Sequence, residues 1–107
     1  MELQQIHYFL TACETLNFAR AAERCDVSVP SLTRAIHALE EELGGQLFRR
    51  ERHLTHLTDL GRLMQQHLAN AHEAAEAACK GAAQYAKADA ALKLGVVATM
   101  PAGHLVG

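Results

Sequence analysis

Between residues 27 and 43 the chain reads VSVPSLTRAIHALEEEL. Leu32, Ile36, Leu39 and Leu43 fall four, three and four residues apart, the spacing of one face of an α-helix. The opposite side carries Ser31, Thr33, Arg34 and His37, which are small, polar or cationic. A helix divided in this way must bury its apolar face against other elements and leaves the polar face for another purpose. Its ends are marked as well. Ser28 is an N-cap candidate, Pro30 falls in the first turn where its missing N–H would have no partner, and Gly44 is a natural C-cap.

The partners for that apolar face come earlier in the chain. Leu3, Ile6, Phe9, Leu10, Cys13 and Leu16 predict an amphipathic first helix. Asn17 is the expected N-cap of a second, shorter helix, whose Phe18, Ala21, Ala22 and Cys25 are mostly small and permit close packing. Asp26 and Val27 read as a tight connection. After Gly44-Gly45 come Leu47, Phe48, the basic run Arg49-Arg50-Glu51-Arg52-His53, and Leu54 to Thr58, a pattern that predicts a short hairpin. Thr58-Asp59 is expected to cap a long alanine-rich helix. Within it Met64, Leu68, Ala71, Ala75, Ala78, Ala82 and Tyr85 alternate steps of four and three, a coiled-coil seam that Gly81 weakens locally. Leu92, Leu94, Val96 and Val97 then suggest a strand, the expected opening of a further domain.

At 107 residues there is room for one small domain with an attached element. Ten Lys and Arg against twelve Asp and Glu give a formal charge of −2, so any surface for a polyanion must come from local clustering of arginine. Cys13, Cys25 and Cys79 are odd in number, lack C-x-x-C spacing and fall in apolar patterns, which predicts buried, inert thiols in a reducing compartment. With no basic leader and no long apolar run, the expectation is a cytoplasmic protein with no membrane association.

Two short helices joined by a turn of about three residues, the second with a small polar outer face, predict a helix-turn-helix. The second helix then supplies Ser28, Ser31, Thr33 and Arg34 to a major groove, with Val29, Pro30 and His37 on the same surface and Arg20 on the helix before it. Arg49, Arg50, Arg52 and His53 form the local basic patch, placed where a wing meets the sugar-phosphate backbone or minor groove. A three-helix core also occurs in proteins that never touch DNA, so the competing reading is a helical dimerisation module whose headpiece binds protein. The seven histidines do not form a metal site: His53 and His56 point to opposite faces of an extended segment, and His67 and His72 diverge on a helix. Catalytic motifs are missing, and Glu40-Glu41-Glu42 reads as a solvated helix end with Glu40 bonding a neighbouring helix.

The run FARAAERCDVSVPSLTRAIHALEEELGGQLFRR, followed by LTDLG, strongly resembles the N-terminal domain of the LysR-type transcriptional regulators, over residues 1 to about 61. That family's pattern is close to F-x-x-A-A-x-x-x-x-x-S-Q-P-[AS]-[LV]-[ST]-x-x-I-x-x-L-E-x-x-L-G-x-x-L-F-x-R. The resemblance implies a mainly α fold: a winged helix-turn-helix over residues 1–58, then a long linker helix over 59–88 that dimerises. Residues 89–107 are similar to the truncated start of an effector-binding domain, in which Thr99 and Met100 would edge a small-molecule pocket of a full-length protein. No other cofactor is implied. The implied partners are double-stranded DNA, bound at an interrupted palindrome, and a second copy of the chain through the linker helix, a higher oligomer being compatible with a full-length protein. Two departures stand out. Val29 replaces the family's usual Gln before the proline, removing a hydrogen-bonding group but leaving one able to pack on a thymine methyl. Glu51-Arg52 occupies the wing turn, where the family commonly has Gly.

The alanine seam has two readings, packing back on its own domain or meeting another chain. The headpiece has enough apolar residues of its own, so the second is expected, with two close-packed helices setting the separation of two headpieces.

Overall fold

In the computed structural model, residues 1–93 are described, in the order α1 (Leu3–Thr15), α2 (Phe18–Cys25), α3 (Val29–Leu43), β1 (Phe48–Glu51), β2 (Leu54–Leu57) and α4 (Asp59–Lys93). The described residues divide into two units, one over Met1–Glu73 and a second from Ala74 onward.

Local hydrogen bonds close the ends of the first three helices. The Glu2 N–H donates to Gln5 Oε1 at the start of α1, and Asn17 Oδ1 accepts from the Arg20 N–H at 3.0 Å at the start of α2. Ser28 Oγ accepts from the Ser31 N–H at 3.2 Å at the start of α3. Each satisfies a backbone donor that the first turn leaves without an intrahelical partner. The C-terminal ends turn out of the helix through left-handed residues: Leu16 at φ 50°, Asp26 at φ 57° and Gly44 at φ 86°. At Gly44 that conformation costs little, whereas Leu16 and Asp26 adopt it against the preference of a side chain. Asp26, Val27 and Ser28 make the three-residue turn between α2 and α3.

The core of the first unit lies where α1, α2 and α3 meet. Phe9, Leu32, Ile36, Leu39 and Leu47 are fully buried, with Ala12, Ala21 and Ala22 allowing close approach between the helices. Phe48 stands edge-on to Phe18, centroids 5.3 Å apart, and 5.6 Å from Phe9, so the first residue of β1 is anchored in the helical core. The Leu47 N–H donates to Glu40 Oε2 at 2.8 Å. Glu40 thus holds the chain entering the hairpin, where the sequence suggested a neighbouring helix. Thr58 completes the latch: its N–H donates to the Leu47 carbonyl at 3.0 Å, its hydroxyl donates to the Gln46 carbonyl, and the Thr58 Oγ1 accepts from the Gly61 N–H as the cap of α4.

Further expectations are corrected. The hairpin pairs Glu51 with Leu54, so its two-residue turn is Arg52-His53 and not Glu51-Arg52. Both residues have positive φ, 46° and 72°, the geometry a tight hairpin needs to match strand twist. The seam does not begin as an intermolecular surface. Leu68 is 5% exposed and belongs to the headpiece core, and Met64 packs against it, because the headpiece leaves a groove that the start of α4 fills. The rings of His7 on α1 and His72 on α4 stack in the same unit, 5.8 Å apart and 17° from parallel. Finally, Cys13 is buried, but Cys25 is half-buried and Cys79 is exposed. Helical position alone did not settle whether another element covers each thiol.

In the second unit α4 continues to Lys93, past the expected end at 88 and through Leu92, which the sequence had placed in a strand. The rest of that strand, with Thr99 and Met100, lies outside the described residues. Ala78, Ala82 and Tyr85 are exposed, Tyr85 by 74%. No described helix is long and apolar enough to cross a membrane.

Candidate nucleic-acid interface

With Leu32, Ile36 and Leu39 sunk in the core, helical geometry leaves the other side of α3 facing outward. Val29, Pro30, Arg34 and His37 are exposed, and Ser31 and Thr33 are half-buried. Val29, Thr33 and His37 form one row along the helix at i, i+4 and i+8, while Pro30 and Arg34 form the adjacent row. The side chains at the start are partly engaged within the helix. Ser28 Oγ donates to Ser31 Oγ at 2.9 Å besides capping the Ser31 N–H, and Arg34 Nε donates to the Pro30 carbonyl at 3.4 Å, a long contact that a stronger acceptor would replace.

The wing brings a second set of cations. Arg49, Arg50, Arg52 and His53 are all exposed. Arg50 is held differently from the others: its guanidinium carbon lies 4.8 Å from the centre of the Phe18 ring, a cation–π contact that orients the side chain without neutralising it. A cleft of about 320 Å³ runs between α3 and β1, walled by Phe18, Ile36, His37, Glu40, Gln46, Phe48, Arg49 and Arg50. The helix face and the wing thus meet along one groove. Arg20 is exposed on α2. Arg24 pairs with Glu14 at 3.0 Å and Arg62 with Asp59 at 3.2 Å, so these two guanidiniums lie against carboxylates.

Sequence reasoning missed Phe18 as the platform for Arg50, because the two residues are far apart in the chain and only the packing of β1 on α2 joins them. No group of three or more metal-ligating side chains occurs among the described residues. Of the titratable groups, Cys13 stands out: burial, and secondarily the neighbouring Glu14 charge, push its thiol up to about 12. It is a packed core residue and not a nucleophile.

A recognition helix carried on a helix-turn-helix, with a two-stranded wing beside it and arginines on both, defines a winged helix-turn-helix DNA-binding domain. Residues 3–62 match the model of the bacterial regulatory helix-turn-helix proteins of the lysR family, and the chain belongs to that family. It is 42% identical over 77 residues to the HTH-type transcriptional regulator IlvR of Caulobacter vibrioides, a match covering 72% of this chain and 26% of that protein. It is 50% identical over 62 residues to CatR of Pseudomonas putida, covering 58% of this chain and 21% of CatR. The chain therefore spans about a quarter or less of these regulators' length.

The DNA complex of the CbnR DNA-binding domain superposes with a TM-score of 0.75 at 34% identity, covering 80% of this chain and 99% of that one. The BenM DNA-binding domain bound to catB site 1 DNA gives 0.76 at 30% identity, covering 80% and 96%. The function that follows for this domain is DNA binding of the LysR type.

Proposed function

We propose that the chain reads an interrupted palindromic operator as a homodimer. In this reading α3 enters the major groove, the wing lies on the flanking backbone, and the alanine row of α4 joins two copies. The observation that carries it is the cleft between α3 and β1, walled by His37, Arg49 and Arg50, on a domain whose exposed α3 face also bears Arg34 and whose wing turn exposes Arg52 and His53. Arg34 sits in the second turn, where a guanidinium can fork onto a guanine edge. Arg49, Arg52 and His53 serve the phosphates, and Arg20 and Arg50 flank them.

Dimerisation is supported by the exposed alanines of the second unit, small groups that let two helices approach closely, and by the exposed apolar ring of Tyr85. One headpiece contacts too few base pairs for selectivity, and a second tethered headpiece raises its effective concentration at the neighbouring half-site. A small-molecule effector belongs to a full-length protein. Solution in the cytoplasm fits this role.

Titration of duplex binding against salt is the test. Affinity should fall steeply as salt rises, because each neutralised phosphate releases counterions. Arg34→Ala should cost about 1–3 kcal/mol on the selected duplex and relax its sequence preference. Arg52→Ala should weaken selected and random duplexes alike. Equal losses on both duplexes for Arg34→Ala would contradict the role given to α3, and salt-independent binding would favour the protein-binding alternative.

A further inference from the structure

We infer that the tip of α3 selects thymine by its 5-methyl group, with Val29 as the reading side chain and Pro30 beside it. The inference rests on α3 entering the major groove as proposed above, and adds what its first turn recognises there.

Val29 is the first residue of α3 and is 42% exposed, and Pro30 is exposed next to it. Part of this β-branched apolar side chain lies on the outward face at the start of α3, where covering it with an apolar group of a partner would be favourable. Some of the polar groups around it are taken up within the helix. Ser28 Oγ accepts the Ser31 N–H and donates to Ser31 Oγ, Pro30 has no N–H, and the Pro30 carbonyl receives Arg34 Nε. The tip of the helix therefore offers hydrocarbon where hydrogen-bonding groups would otherwise stand.

In the major groove the edges of guanine, cytosine and adenine present donors and acceptors, and thymine alone adds a methyl group. Val29 against the other bases would strip water from a polar edge and return no hydrogen bond. Against thymine it covers a methyl with a methyl. Hydrogen-bonded reading then begins one helical turn later, at Thr33 and Arg34.

The test uses a duplex enriched from a random-sequence pool by the wild-type chain. Each thymine is replaced singly by deoxyuridine, which removes the methyl and keeps the pairing, and each cytosine by 5-methylcytosine. Wild type should show a thymine at which the replacement weakens binding about fourfold, the effect of burying roughly one methyl group. In Val29→Ala the response at that thymine should shrink towards onefold, while the salt slope and the effect of changing the base read by Arg34 persist. The deoxyuridine scan on wild type needs no variant, so it stands even if Val29→Ala folds poorly. Binding that is salt-dependent and selective yet indifferent to every thymine methyl would overturn this inference and leave the DNA reading intact, as would a thymine response of equal size in Val29→Ala. Failure of the wild-type chain to enrich any duplex would overturn both.

Discussion

The two stretches of α4 carry one repeating pattern and meet different fates. Met64 and Leu68, in the first compact unit, pack into the core made by α1, α2 and α3. Ala78, Ala82 and Tyr85, in the second, continue the same steps of four and three with their side chains exposed. A seam read from spacing alone is thus two surfaces: one closes the domain that carries it, and the other faces solvent with alanines, apart from Tyr85. Residue size tells them apart. Leu and Met fill a groove beside a packed core, whereas Ala buries too little area to stabilise a contact unless a second backbone comes close.

The largest expected effect lies in the alanine stretch. Ala78→Glu should cost about 3–5 kcal/mol of dimer stability by leaving an unpaired charge between close helices. Sedimentation should then show monomers, with binding to a two-half-site duplex falling to that of a single half-site. The headpiece melting transition should not move. A dimer that survives both this change and Ala75→Arg would mean that the copies pair through another surface.

Leu68→Ala should do the reverse. It removes a nearly buried side chain from the headpiece, at a cost of about 2–5 kcal/mol in urea denaturation, and should leave the monomers still able to associate. If it instead abolishes dimerisation at unchanged stability, the boundary between the two surfaces lies nearer the headpiece than Leu68.

The glycines of α4 give a sharper version of the same contrast. A Cβ on Gly61 would run into the Leu47 carbonyl oxygen and meet Leu57 Cδ2 at 2.8 Å, whereas one on Gly81 meets nothing within 4 Å. Gly61→Ala should therefore destabilise by about 1–3 kcal/mol, since backbone at the mouth of the hairpin has to move. Gly81→Ala should stabilise the helix by up to about 1 kcal/mol, because alanine loses less entropy on becoming helical. Thermal melts followed by circular dichroism at 222 nm check the opposite signs.

The smallest effects belong to the thiols. Cys79 should react with a thiol reagent in the native state and Cys13 only after unfolding, as mass spectrometry of the labelled chain would show. Burial raises the Cys13 thiol from the ordinary 9.0 to about 12, so its contribution to stability is fully present below about pH 9 and is lost as pH rises towards 12. Cys13→Ser should flatten that alkaline decline. An unchanged slope would assign it to other groups.

Where a feature depends on neighbours in the chain, its residues announced it. Asn17 and Ser28 cap helices through hydrogen bonds three residues long, Gly44 ends α3 in a left-handed turn, and Leu32, Ile36 and Leu39 repeat with the helical period. Those signals, with the basic run from Arg49 to His53, were enough for the helix-turn-helix and the wing. The turn residues were misplaced by one because Arg52-His53 lacks the Asn-Gly or Asp-Gly signature of a two-residue hairpin turn, and the pairing of Glu51 with Leu54 imposes the positive φ. The stacking of Arg50 on Phe18, the grip of Glu40 on the Leu47 N–H, the pairing of His7 with His72 and the inward fate of Leu68 all join residues from separate elements. Periodicity says which side of a helix is apolar, not what will cover it. Only the packed structure decided that, because covering a side chain requires a surface from elsewhere in the chain at the right distance and angle.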